Sequence, residues 1–217
     1  MASEALDAPG MLTVTRWLSP AFPTGAFAWS HGLEWAVAEG VVGDEASLRA
    51  WLLGLLRHGA GRNDAILLGL AHREGADLGR LAARALALPP SAERRREAQE
   101  QGAAFARALR AADGIEVPDM ALPLVVGRAA RLAGLPALPV AQVMLLAWAA
   151  SLAGAAQRLM PLGQSAAARV VASLAPLCAQ VAEAAVGLDE DALGGCAPLA
   201  DVASLRHESQ EQRLFRS

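Results

Sequence analysis

The side chains best suited to chemistry in this 217-residue chain are few and scattered. No two of the four histidines, His31, His58, His72 and His207, stand four residues apart. That is the spacing that puts two imidazoles on one helix face for a metal. His58 and His72 read as helix-end or surface residues. Cys178 and Cys196 have no CxxC companion, and Glu4 and Asp7 stand where a secretory signal needs basic residues. Two reduced thiols are therefore expected rather than a disulfide. No permanent metal site is predicted; a transient or dimer-shared one using His207, His31 or a cysteine is the weaker alternative. No GxSxG elbow is present, and no Ser or Cys has a recognisable base partner. Asp189-Glu190-Asp191 reads as a loop or helix cap rather than an acid/base pair.

Lysine is missing altogether, so all 19 basic residues are arginine. Without lysine there is no Walker A loop and no Schiff base. For an enzyme, the sequence offers no catalytic constellation. The net charge of −3 is small and gives no electrostatic reason to expect nucleic acid.

Three stretches have unusual content. Leu18–Glu34 gathers Phe22, Phe27 and Trp29 around Pro20, Pro23 and Gly25, followed by Ser30, His31, Gly32 and Glu34. It reads either as a loop plugged into a core or as a rigid aromatic recognition surface, and burial is the commoner fate of aromatics. Arg158–Gln164 ends an apolar helix at Pro161 and reverses at Gly163; Arg158 is the first charge after a long uncharged run. The third stretch, Arg206–Ser217, sets Leu214 and Phe215 between Arg213 and Arg216. It is a frayed tail or a segment that folds onto a partner.

The elements that must position these residues are helical. Ala and Leu are the strongest compositional bias, favour helix, and leave few β-branched residues for a sheet. Residues 1–10 read as a disordered leader, 11–205 as one all-α domain and 206–217 as a tail ordered on partner binding. Helical spacing runs over Phe27–Glu39, Glu45–His58 capped by Asp44, Asn63–Arg73, Leu78–Ala87 capped by Asp77, and from a cap at Ser91 to about Asp113. The charged start of that last helix (Glu93, Arg94, Arg95, Arg96, Glu97) reads as a solvated face, with a contact surface as the alternative. Further helices are expected at Val140–Leu159, Ser165–Val186 (bent at Pro176) and Asp201 to about Glu211. The uncharged run Leu132–Gln157 is long enough for a membrane span, but Pro136, Pro139 and its Ala/Gly content favour a buried central helix. The predicted architecture is a single-domain helical bundle of roughly eight to ten helices.

The three stretches together resemble the UreF family of urease accessory proteins over nearly the whole chain. The resemblance rests on Ser19-Pro20, Pro23-Thr24-Gly25-Ala26-Phe27, Ser30-His31-Gly32-Leu33-Glu34, Asn63-Asp64-Ala65, Ser91-Ala92-Glu93-Arg94-Arg95, Pro161-Leu162-Gly163-Gln164, and His207-Glu208 with Arg213-Leu214-Phe215-Arg216-Ser217. Ala26 departs from a second glycine, Ala28-Trp29 from a Ser-Tyr pair, and Arg158 stands where relatives often carry Lys. Arg keeps the charge but not the hydrogen-bond geometry of Lys. The resemblance implies an all-α, cytoplasmic, homodimeric adaptor that is not itself an enzyme and binds no cofactor permanently. With UreD (also called UreH) it would recruit the GTPase UreG to apo-urease, and the assembled complex would handle nickel. Arg213, Leu214, Phe215 and Arg216 would then belong to a partner-ordered tail, with Arg213 supporting the GTPase-recruiting surface, Arg158 the second candidate for it, and Gln164 a further partner-binding residue. Phe22, Pro23, Gly25, Ser30, His31, Gly32 and Glu34 would shape a dimer or partner face. The competing reading is a helical enzyme or binding protein for an apolar ligand in Met120–Ala182.

Overall fold

The computed structural model describes residues 5–217. Among them are ten α-helical segments, two 3-10 turns and no strand, the all-α bundle expected. The helices are α1 (Ala8–Trp17), α2 (Leu33–Ala38), α3 (Glu45–His58), α4 (Ala60–His72), α5 (Leu78–Ala87), α6 (Ala92–Asp113), α7 (Leu122–Leu132), α8 (Ala137–Leu159), α9 (Gln164–Ala185) and α10 (Pro198–His207).

Local chemistry fixes several starts. The side chains of Asp44, Asp77 and Ser91 each accept a main-chain N–H in the first turn of α3, α5 and α6, satisfying one of the orphan donors at a helix N-terminus. The expected leader ends earlier than Gly10: Asp7 caps α1 by accepting the Gly10 N–H at 2.8 Å, and Gly10 is buried. Residues 1–4 of that leader lie outside the described residues.

α4 is the centre of the bundle, with buried residues all round it, and packs against α3, α5, α7, α8 and α9. Its crossing with α7 is close because Gly127 has no Cβ; a methyl group there would collide with the Leu68 carbonyl oxygen. α8 and α9 form a helical hairpin that packs against α3 and α4. Both are long and apolar enough to cross a membrane by length and composition. In the fold that apolar surface serves the bundle: Val140, Met144, Leu145 and Leu152 of α8 and Val170, Leu174 and Leu177 of α9 join the single core cluster.

Two expectations fail for stated reasons. The spacing over Phe27–Glu39 does not give one helix, because His31 and Gly32 take left-handed backbone (φ 59° and 77°) and only Leu33–Ala38 is α-helical. The last helix starts at Pro198 and stops at His207, leaving the chain beyond it free to turn back across the bundle.

Candidate functional site

The turn-back is what assembles the site. Residues Gln210–Ser217 carry no regular secondary structure, yet Phe215 and Ser217 are buried, at 4% and 0% exposure. They thread between the Trp29–Glu34 loop, the N-terminal half of α6 and the end of α8. In this structure the tail packs against its own chain.

Glu34, on the first turn of α2, is the main clasp. Its Oε1 accepts the Leu214 N–H at 2.6 Å and its Oε2 the Phe215 N–H at 2.9 Å. The His207 ring lies between two carboxylates, with Nε2 at 3.0 Å from Glu34 Oε2 and Nδ1 at 2.6 Å from Glu93 Oε2, and is wholly buried. The Arg213 guanidinium donates to the other Glu93 oxygen at 2.7 Å. Buried carboxylates are costly unless hydrogen-bonded, and both are hydrogen-bonded here, Glu93 also to a guanidinium.

A second clasp holds the last residue. The Ser30 N–H (3.0 Å) and its hydroxyl both donate to the Ser217 main-chain oxygen. The Ser217 hydroxyl donates to Glu97 Oε2 at 2.7 Å and accepts the His31 N–H at 3.2 Å. Glu97 also pairs with Arg94. Burial opposes the charge on Glu97, but Arg94, His31 and Ser217 outweigh it and hold its carboxyl at about 2. Burial, then the Arg94 charge, lower His31 to about 4, so its ring is neutral near pH 7.

Arginines finish the tail. Arg216 grips Glu100 with both guanidinium nitrogens (2.6 and 2.9 Å) and lies 4.4 Å over the Trp29 ring. Arg158, at the end of α8, lies 4.2 Å over the Phe215 ring while donating to the Phe27 main-chain oxygen at 2.8 Å. Gly32 allows the loop to approach α10: a Cβ there would sit 2.8 Å from the Ser204 nitrogen.

Of the residues singled out from the sequence, Ser30, His31, Gly32, Glu34, Arg158, Arg213, Leu214, Phe215 and Arg216 come together here. Phe22 does not: it packs on Phe105 at 4.8 Å in the core, which is the commoner fate of an aromatic. Pro23 and Gln164 are exposed, and Gly25 supplies a left-handed turn. Phe27 is 73% exposed and Leu214 62%, so the outward face of the site carries apolar side chains flanked by arginine. Glu93, Glu97 and Gln101 correct the reading of α6 as solvated; they are buried. Their i,i+4 spacing on one helix face was the available signal. Among the described residues no group of three His, Cys, Asp or Glu side chains could hold a metal ion.

The UreF family model matches residues 42–175. The urease accessory protein UreF of Cereibacter sphaeroides (strain KD131 / KCTC 12085) is 50% identical over 207 residues, covering 95% of this chain and 98% of its own. Those of Methylobacterium radiotolerans and Xanthobacter autotrophicus are each 46% identical, covering 99% and 100% of this chain and 99% and 95% of their own. Half-identity across almost the full length, together with the helical bundle and the motif residues gathered around the tail, means that the chain belongs to the UreF family of urease accessory proteins.

Proposed function

We propose that this chain is a urease maturation factor acting as an adaptor in the cytoplasm. As a homodimer it binds UreD (UreH), and the pair recruits the GTPase UreG to apo-urease, supports GTP-dependent nickel delivery and modulates the GTPase. Nickel is cargo of the assembled complex, and the GTP chemistry belongs to UreG, since a chain without lysine has no Walker A loop. The observation that carries the reading is the 50% identity, over 95% of the chain, to a protein named for urease maturation.

The tail site supplies the adaptor surface in this reading. Phe27 and Leu214 present apolar area, and Arg158, Arg213 and Arg216 surround it with guanidinium groups. Exposed aromatic and arginine side chains on a rigid support are the usual anchors of a protein interface. Gln164 marks the exposed start of α9 on the far side of the Pro161–Gly163 turn.

Truncation after Glu208 tests the surface. The ten helices end at His207, so helical content should stay near that of the full chain while co-purification with UreD and UreG is lost. Unchanged complex formation would remove the tail from the adaptor role.

A further inference from the structure

A cavity of about 330 Å³ lies beside the tail clasp, between α4, α6 and α10, closed on one side by the Gly194–Cys196 loop. That volume falls within the range of small-ligand sites. The loop is held by Asn63, whose Nδ2 donates to the Gly195 carbonyl at 3.0 Å and whose Oδ1 accepts the Gly194 and Gly195 N–H groups at 3.3 Å.

The ionisable side chains bordering the void are His31, Asp64, Arg94, Glu97, Cys196 and Asp201. Three are carboxylic acids and one is a fixed cation, and that cation is already paired with Glu97. Asp64 is half-buried and lines the void. Burial raises its pKa to about 7, with the Arg94 charge opposing the shift and the Glu97 charge adding to it. Asp201 takes the Ala197 N–H at 3.2 Å and is likewise pushed up by burial. The His31 Nδ1 atom is buried without a hydrogen-bond partner, 3.8 Å from Glu97 and too far to bond it. Trp148, edge-on to His31 at 5.0 Å, is an aromatic wall.

Carboxyl groups therefore outnumber guanidinium groups around this space, and the single guanidinium, whose charge also reaches Asp64 and Asp201, is committed to Glu97. An uncompensated buried charge is strongly unfavourable and favours a guest that supplies the opposite charge. Among the described residues no three ligating side chains are grouped to hold a metal ion. We propose that the cavity is a binding site for a small organic cation bearing N–H donors, an alkylguanidinium or alkylammonium ion, with Asp64 as its counter-charge.

The site has a built-in reporter. Cys196 is exposed at its edge, whereas the other thiol, Cys178, is buried. Methylguanidinium and ethylammonium, each at millimolar concentration against matched sodium chloride, are titrated into the full chain at pH 8. The readouts are the unfolding temperature and the rate of Cys196 alkylation by iodoacetamide. A saturable rise in unfolding temperature and a several-fold slowing of alkylation are expected, both absent in Asp64→Asn and both absent with tetramethylammonium, which has no N–H. In the wild-type chain alone, apparent affinity should fall at least tenfold between pH 8 and pH 5.5 as Asp64 takes up its proton. The pH series stands even if the variant misfolds. Absence of a saturable effect, equal binding by Asp64→Asn, equal binding of tetramethylammonium, or a response to a divalent metal ion alone would each overturn the proposal.

Discussion

The Glu34 carboxylate accepts the main-chain N–H of Phe215, 181 residues further along the chain, at 2.9 Å. One side chain in the first turn of a short helix thus holds the far end of the molecule against the bundle. Glu34 is buried, accepts the N–H groups of Leu214 and Phe215, and lies 3.0 Å from the His207 ring. Replacing it with Ala leaves both N–H groups without their acceptor. Glu34→Ala should destabilise the chain by about 3 kcal/mol, as expected for breaking a buried, charged hydrogen-bonded group. It should also make the bond after Arg213 a trypsin site in the native protein. Thermal unfolding and limited proteolysis followed by mass spectrometry check both.

Arg158 and Phe215 should be energetically coupled. The guanidinium lies over the ring at 4.2 Å while bonding the Phe27 carbonyl, so it joins tail, loop and α8 at one point. A double-mutant cycle of Arg158→Ala and Phe215→Leu should give a coupling of about 0.5–1 kcal/mol by denaturant unfolding. Arg158→Lys should recover less than half of it, because a single ammonium cannot cover the ring and reach the carbonyl with the same planar fork. Additive single effects would remove this contact from the account.

Gly32→Ala combines two penalties. The backbone there is left-handed, and a Cβ would sit 2.8 Å from the Ser204 main-chain nitrogen. A loss of about 2 kcal/mol or more is expected, read as a lowered unfolding midpoint with an unchanged denaturant slope. Gly25→Ala provides the comparison, since its Cβ would meet nothing within 4 Å and it carries the conformational penalty alone.

The buried acids and His31 give stability a pH signature. Folded Asp64 keeps its proton to about pH 7, whereas the unfolded chain releases it near 3.8. The folded state binds more protons between those values, so this group's contribution to stability falls as pH rises through that window and stays low above it. Asp64→Asn removes the effect. Its unfolding temperature relative to wild type should climb between pH 4 and pH 7 and level off beyond. His31 acts in the opposite sense: folded, it stays neutral down to about 4, so its contribution is lost as pH falls from 6.5 towards 4. Glu97, held at about 2, loses its contribution only below its ordinary range near 4.5. Taking the difference between variant and wild type isolates Asp64 from the other two.

The sequence carried the parts governed by short-range chemistry. Asp44, Asp77 and Ser91 mark their helix starts because a cap needs only a side-chain oxygen and the next turn's N–H groups. α7 is invisible to periodicity, since Pro123 through Gly127 are all buried and there is no polar face to set a phase. The charged start of α6 misled for the opposite reason. Its carboxylates look solvated along the helix and become buried only when the tail and His207 arrive from more than a hundred residues away. The motif residues Ser30, His31, Glu34 and Phe215 were legible as unusual, but their pairing was not, because no local pattern encodes which distant segment a loop will hold.

The central claim is that this chain supports urease maturation through its tail site. The most direct measurement is the nickel content of urease purified from cells expressing the urease subunits and the other accessory proteins. It is made with this chain, without it, and with the form truncated after Glu208. The account predicts nickel occupancy near that of mature urease with the full chain, and occupancy lower by tenfold or more both without it and with the truncated form. Equal nickel occupancy in all three preparations would contradict it.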